Sequence, residues 1–342
     1  MFARNVLKTG FSGPILIIEN HDKRRYSIIM PQIDVSIIIV NYNTKKLLSD
    51  CLKSIYEQTK NINYEVIVSD NGSVDGSIEM LKADFPHVIL IENNANLGFG
   101  TANNRGLDVA KGKYILYLNS DTLLLNNAVK IFFDYFEENS EKENIGALGT
   151  NLTDINGNVV SSYGSACGEF SSAKEFIFDR QKLLIGTYKA AFRHYVLRRN
   201  LKEVISHKKF AKHIGPVGYI TGADLFLRNN NYARFDENIF LYYEETDLEF
   251  KLTKAGYKCI LIDNAKIVHL EGGSEKKTSL EVLDLASFSK INLFKSSIYF
   301  LKKNKLVSSI QIFRLKFITM LIWLNPLIFV KTRKYIFPML KI

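Results

Sequence analysis

Four short polar stretches in the first third of the chain combine amides, carboxylates and hydroxyls: Asn41-Tyr42-Asn43, Asp70-Asn71-Gly72-Ser73, Asn93 to Gly98, and Asn119-Ser120-Asp121. A carboxylate placed like Asp70 can accept from the imide N–H of a pyrimidine or from a ribose hydroxyl. One placed like Asp121 can hold a divalent metal, and a metal clamps a diphosphate. Further on, Glu244-Glu245-Thr246-Asp247 follows Phe240-Leu241-Tyr242-Tyr243. A carboxylate held near an aromatic wall, among like charges, gains proton affinity and can act as a general base toward a hydroxyl. His269 precedes Glu271-Gly272-Gly273-Ser274. Each feature also has a plain structural use. Residues 70–77 suit a polar turn with Asp75 as a cap, Asp121 a turn or helix cap, the acids an N-terminal helical turn, and His269 a core position.

The elements that must position these residues alternate. Apolar β-branched runs at 35–40, 65–69, 88–92 and 113–118 read as buried strands. Helical spacing links them at 45–58, 75–83 and 98–110. Each polar stretch of the first half thus falls just past the carboxyl end of a strand, where open parallel sheets bind ligands. A helix over 126–138, a strand over 145–150 and a hairpin turn at Asn156-Gly157 follow. A strand over 219–228, a helix over 245–255 and strands over 258–262 and 266–270 complete the pattern of an α/β domain with a mostly parallel sheet flanked by helices.

Composition narrows the function. The chain has 342 residues, 46% hydrophobic, with 45 Lys or Arg against 35 Asp or Glu. Residues 285–342 hold 11 of the basic side chains and no acid, so the rest is nearly balanced. Residues 174–212 form a second basic block, read as an amphipathic helical insertion. No zinc-finger, helix-turn-helix or RNA-binding signature accompanies the charge, so nucleic acid is not the expected partner. Cys51, Cys167 and Cys259 stand too far apart for a zinc knuckle and fit a reducing compartment. Neither Gly-x-Gly-x-x-Gly nor a Gly-Lys-Ser/Thr loop follows the first strand, which argues against a dinucleotide dehydrogenase and a Walker-type nucleotidase. No secretory signal is legible, and Met30, just ahead of the first strand, is the expected start, with the first 29 residues an upstream extension and the N-terminal extension 1–33 lying outside the domain.

The order of these motifs resembles glycosyltransferase family 2, inverting nucleotide-sugar transferases with a GT-A fold, and most closely its rhamnosyltransferase-like branch. The likeness spans residues 35–274. It implies that Asn41, Tyr42, Asn43 and Asp70 hold the nucleoside, and that Asn71, Asn96, Gly98, Asn103, Asn104 and Gly106 line the donor site. Asn119-Ser120-Asp121 stands where the family has its DxD motif, with Asn119 in place of the first Asp. Asp121 then binds Mn2+ or Mg2+, completed by His269. Glu245 takes the place of the catalytic base, with Glu where Asp is more usual, so Asp247 stays an alternative and Glu244 a neighbour in the same site.

The resemblance implies a cytoplasmic enzyme that moves a sugar, rhamnose from dTDP-rhamnose being favoured, to a polysaccharide or lipid-linked acceptor. Residues 317–330 are apolar, too short to span a bilayer and flanked by Lys and Arg, which suits a helical C-terminal region, 275–342, lying on an anionic inner membrane face. Arg193, Arg198, Arg199 and Lys202 are expected beside the acceptor, where a lipid pyrophosphate would sit. Two rivals are a silent sugar-nucleotide-binding scaffold and a nucleotidyltransferase. The second lacks its usual Gly-rich basic loop after strand one.

Overall fold

A computed structural model describes residues 16–20, 25–29, 32–164, 173–196, 211–270 and 287–341. A hairpin of β1 (Leu16–Asn20) and β2 (Arg25–Ile29) precedes the main sheet. Then come β3 (Val35–Asn41), α1 (Lys45–Gln58), β4 (Tyr64–Asp70), α2 (Ser77–Asp84), β5 (Ile89–Glu92), α3 (Phe99–Leu107), β6 (Tyr114–Asn119), β7 (Thr122–Leu124), α4 (Ala128–Glu143) and β8 (Ile145–Thr150). The second half holds β9 (Tyr163–Gly164), α5 (Ala173–Tyr195), β10 (Gly215–Val217), β11 (Tyr219–Ile220), β12 (Asp224–Arg228), α6 (Glu244–Lys254), β13 (Lys258–Ile262) and β14 (Ile267–His269). Three helices close the chain: α7 (Phe288–Lys303), α8 (Ser309–Trp323) and α9 (Phe329–Lys341).

Among the described residues an eight-stranded sheet runs β10-β13-β8-β12-β6-β3-β4-β5. β3 sits between β4 and β6, parallel to both, and is buried on both faces, which is why Val35–Asn41 reads as a Val/Ile run interrupted only by Ser36 before its closing Asn41. Register aligns the strand ends: Asn41 pairs with Asp70, Asp70 with Glu92, and Val40 with Asn119. The polar stretches that follow therefore meet at one edge. On one face, Leu48, Cys51, Leu52 and Ile55 of α1 pack with α2 and α4. On the other, α6 and the small residues of α3 approach. A Cβ on Gly106 would stand 2.5 Å from a methyl of Ile38, so glycine sets how closely α3 lies on the sheet.

The expected α/β sheet with flanking helices is the one observed. One element differs: residues 219–228 are two strands rather than one. The chain breaks at Thr221-Gly222-Ala223, where a Cβ on Gly222 would meet Phe99 at 3.1 Å and the Glu245 Cβ at 4.0 Å. β12 then inserts antiparallel between β6 and β8. The turn at Asn156-Gly157 is present, with Gly157 at φ 82°, but it closes a single bridge between Thr153 and Val159.

The described part of the first basic block packs on the second. α5 lies against α8, and α7, α8 and α9 share a third core around the fully buried Trp323. Arg180 of α5 is buried in it, 3.9 Å over the Phe294 ring and 3.0 Å from the Ser297 hydroxyl. The apolar run 317–330 is thus not one interfacial segment. α8 ends at Trp323, and Ile318, Ile322, Trp323 and Ile328 point into the protein. No helix among the described residues is long and apolar enough to cross a membrane.

Candidate active site

The donor-side loops hold one another. Asp70 is fully buried, and its carboxylate accepts from the Asn41 amide at 2.7 Å and from the Gly72 and Ser73 N–H groups at 3.0 and 2.8 Å. The expectation that Asp70 reads the nucleoside directly is met by a side chain already committed to its own loop. Three donors satisfy it, and they fix Ser73, whose hydroxyl accepts from the Asn41 side chain and the Asn43 backbone. Asn43 sits at φ 55°, a region that Asn tolerates, and its side chain caps the Val74 N–H at 2.8 Å. Tyr42, between them, is 44% exposed. It is the ring this network presents outward.

Asn71 donates to the Gly98 carbonyl at 3.2 Å, while the Asn96 side chain accepts from the Gly98 N–H at 3.0 Å. Gly98 is at φ 86°, and a Cβ there would lie 2.3 Å from the Phe240 carbonyl oxygen. Only glycine permits that approach, which the bond from the Phe99 N–H to the Phe240 carbonyl closes at 3.0 Å. Asn103, expected at the donor site, is buried and bonds back to Phe99 O within α3. Its neighbour Asn104, expected at the donor site as well, instead clamps the Phe235 backbone, donating to the carbonyl and accepting from the N–H, both at 3.0 Å. These contacts tie the donor loops to residues 235–243, the segment that leads to the acids.

Asp121 and His269 meet through an element the sequence did not suggest. β7 pairs antiparallel with β14, setting Thr122 opposite His269, and Leu270 N–H bonds to Asp121 O at 2.9 Å. The imidazole Nε2 then stands 3.3 Å from an Asp121 oxygen. No group of three or more His, Cys, Asp or Glu among the described residues is placed to hold a metal. A carboxylate oxygen and an imidazole nitrogen fit a cation of the Mn2+ or Mg2+ type as a partial set, leaving further positions for phosphate oxygens and water. Asn119 ends β6 beside them, held by its backbone to Ala223.

The three acids on α6 have three different surroundings. Asp247 is fully buried and satisfied: Lys303 reaches both its oxygens at 2.8 and 2.7 Å, Lys251 one at 2.9 Å, and Asn304 donates at 3.1 Å. Read from sequence as an alternative base, it is instead a tether between α6 and α7. Glu244 is 2% exposed, with one carboxyl oxygen lacking a hydrogen bond, and burial followed by the Glu245 charge raises its proton affinity well above the carboxylate range. Glu245 alone is partly open to solvent. Burial of its carboxyl pushes its pKa up to about 7.

Glycines bring these acids to the donor loops. A Cβ on Gly100, in the first turn of α3, would lie 3.6 Å from the Glu244 Cβ, and Gly222 stands between Phe99 and Glu245. Two further carboxylates deepen the acid environment. Glu249, one helical turn beyond Glu245, is fully buried and accepts the Ile220 N–H at 3.0 Å with both oxygens. Asp224 accepts from the Thr150 N–H at 2.6 Å and keeps its other oxygen buried without a partner. The i, i+4 spacing of Glu245 and Glu249 is legible in the sequence. The position of Asp224 needs the break before β12. Arg198, Arg199 and Lys202, the side chain of Arg193, and Cys167 lie outside the described residues.

Residues 36–201 match the model of Glycosyl transferase family 2. A poly(ribitol-phosphate) beta-glucosyltransferase of Bacillus spizizenii is 34% identical over 119 residues, 33% of this chain. This chain spans only 19% of that protein's length. An N-acetylglucosaminyl-diphospho-decaprenol L-rhamnosyltransferase of Mycobacterium tuberculosis is 26% identical over 247 residues, 68% of this chain and 75% of that one. A solved mannosyltransferase of Pyrobaculum calidifontis in complex with GDP-Man and Mn2+ covers 94% of this chain and 77% of its own at 15% identity and a TM-score of 0.49. The match to glycosyl transferase family 2 covers just under half of the chain and runs through every donor-side loop described above.

Proposed function

We propose that the protein transfers a sugar from a nucleoside diphosphate to a hydroxyl of a polysaccharide or lipid-linked acceptor, in one displacement that inverts the anomeric carbon. The observation that carries this reading is Glu245: a residue partly open to solvent whose carboxyl has raised proton affinity, set across Gly222 from Phe99 at the start of α3, with Glu244 beside Gly100. Glu245 takes the acceptor hydroxyl proton. As it does, the acceptor oxygen bonds to the anomeric carbon, and the bond to the diphosphate oxygen breaks on the opposite face. Burial raises the proton affinity of Glu244 and Glu249 beside it well above the carboxylate range.

Asp121 and His269 are the residues that would hold a divalent cation. Such an ion, when bound, offsets charge on the departing diphosphate. Tyr42 and the edges fixed by Asp70, Asn41, Asn43, Asn71 and Asn96 would receive the nucleoside. The name of the mycobacterial relative supports rhamnose and an N-acetylglucosaminyl-diphospho lipid as acceptor, and dTDP is the carrier this reading assigns to the rhamnose. The site of action in this reading is the inner face of a bacterial cell membrane.

The test is turnover. Purified protein is offered dTDP-rhamnose and UDP- and GDP-sugars, with and without Mn2+, and release of nucleoside diphosphate is followed together with the configuration of the product. The reading predicts metal-stimulated transfer with inverted configuration. Retained configuration, or nucleotide binding without turnover under any condition, overturns it and leaves a sugar-nucleotide-binding scaffold.

A further inference from the structure

α8 is apolar on two opposite sides. Leu315, Ile318, Ile322 and Trp323 face the core, whereas Ile310, Phe313, Phe317 and the capping Leu324 lie exposed within an arc of about 60° at 3.6 residues per turn. Phe313 and Phe317 are 68% and 47% exposed, with parallel rings 6.3 Å apart. A water-facing helix normally turns charged residues outward, so an apolar outer stripe marks a surface meant to be covered. The stripe is not isolated. On the neighbouring α5, Phe178, Ile185, Tyr188 and Phe192 are exposed within an arc of about 80°. The Tyr188 hydroxyl donates to Leu321 O on α8 at 3.1 Å, which joins the two stripes.

Charge identifies the occupant. Residues 287–341 contain no Asp or Glu. Arg314 lies beside the α8 stripe, and α9 exposes Val330, Arg333, Lys334, Phe337 and Lys341 on one side. Lys182 and Lys189 edge the α5 stripe in the same way. Aromatic rings rimmed by cations match an anionic bilayer, which offers acyl chains to the rings and phosphates to the rim. A second copy of this chain would bring the same positive rim and repel it.

We infer that the joined outer faces of α5 and α8, with α9 as a basic rim, form a docking surface for anionic phospholipid. The surface is folded before it meets lipid, because its opposite side is the core around Trp323. It also reaches the acids: Tyr243, which caps α6, packs in that core, and Lys303 of α7 holds Asp247 of α6. A docked enzyme therefore has its acid helix fixed relative to the membrane plane.

Vesicle sedimentation tests this with the full chain, comparing phosphatidylglycerol–phosphatidylcholine vesicles with phosphatidylcholine alone. Wild-type protein is expected to sediment with the anionic vesicles only, and less as salt rises. The double variant F313S/F317S is expected to lose about tenfold in partitioning with an unchanged melting temperature, because both rings point away from the core. R333E/K334E, which leaves the rings alone, should lose about as much. Wild-type protein that ignores anionic vesicles, or a folded F313S/F317S that binds as before, overturns the inference. So does a dimer in solution that F313S/F317S splits, since that places a second copy on the stripe. Docking and chemistry fail separately: F313S/F317S should transfer sugar to a water-soluble acceptor at the wild-type rate.

Discussion

The donor loops and the acid helix lie side by side and are built on opposite rules. Around Asp70 every polar group finds a partner: three donors reach its carboxylate, Ser73 bridges two loops, and Asn71 and Asn96 hold Gly98. Around Glu245 the carboxylates are short of partners: Glu244 and Asp224 each bury an oxygen without a hydrogen bond, and Glu249 shares one backbone N–H between two oxygens. Satisfaction gives the first region a fixed shape, which suits the recognition of a nucleotide. Shortage gives the second a raised proton affinity, which suits the taking of a proton near neutral pH. Asp247 shows that shortage is not imposed by the helix, because two turns of the same chain supply it with two lysines and an amide.

The largest break in this contrast is Glu245→Gln, which keeps the shape and removes the base. Transfer should fall by roughly 10²–10⁴-fold, the usual share of a general base, with nucleotide affinity unchanged. Steady-state kinetics together with a nucleotide-binding isotherm separate the two effects.

Lys303→Met strikes the satisfied acid instead. It leaves Asp247 with Lys251 and Asn304 but without its bidentate partner, and it frees Asp236, which Lys303 and Asn238 hold down to about 2 against the effect of burial. Removing one member of a buried ion pair costs about 3 kcal/mol, read as a lower midpoint in urea. Asp247→Asn should be similarly costly to stability, while Glu245→Gln should not be.

The smallest effect sharpens the unsatisfied side. Burial raises the Asp224 carboxyl from 3.8 to about 7, against the pull of the Thr150 N–H and His269. A carboxyl that binds its proton more tightly when folded gives stability that is complete below its unfolded pKa. That stability is lost as pH rises through the folded value. Glu244, Glu245 and Glu249 act in the same direction. The melting temperature should therefore fall between pH 5 and pH 8, and Asp224→Asn should make that fall smaller. A melting temperature that rises over this range would mean that these carboxyls are better hydrated than their burial implies.

Much of the fold was legible in the residues because local patterns set it. Helix 45–58 and strands 145–150 and 258–262 fall where periodicity and β-branched runs place them. What the sequence hid depends on distant contacts. β7 is three residues long and is a strand only because Ile267–His269 pairs with it, so the meeting of Asp121 with His269 has no local signal. The break at 221–223 exists to let Gly222 pass Phe99 and Glu245. Within Glu244-Glu245-Thr246-Asp247, four residues of one acidic run, only packing tells the acids apart. Asp247 meets a lysine 56 positions away on α7, Glu244 turns inward, and Glu245 keeps an opening.

The most direct measurement is the pH dependence of kcat for sugar transfer with saturating donor and acceptor. Glu245 must be ionised to accept a proton, so the rate should rise with pH through an apparent pKa near 7 and then level off. Glu245→Gln should abolish that limb. A wild-type rate that is flat from pH 5 to pH 8, or a Glu245→Gln enzyme with the limb intact, would show that another group takes the acceptor proton.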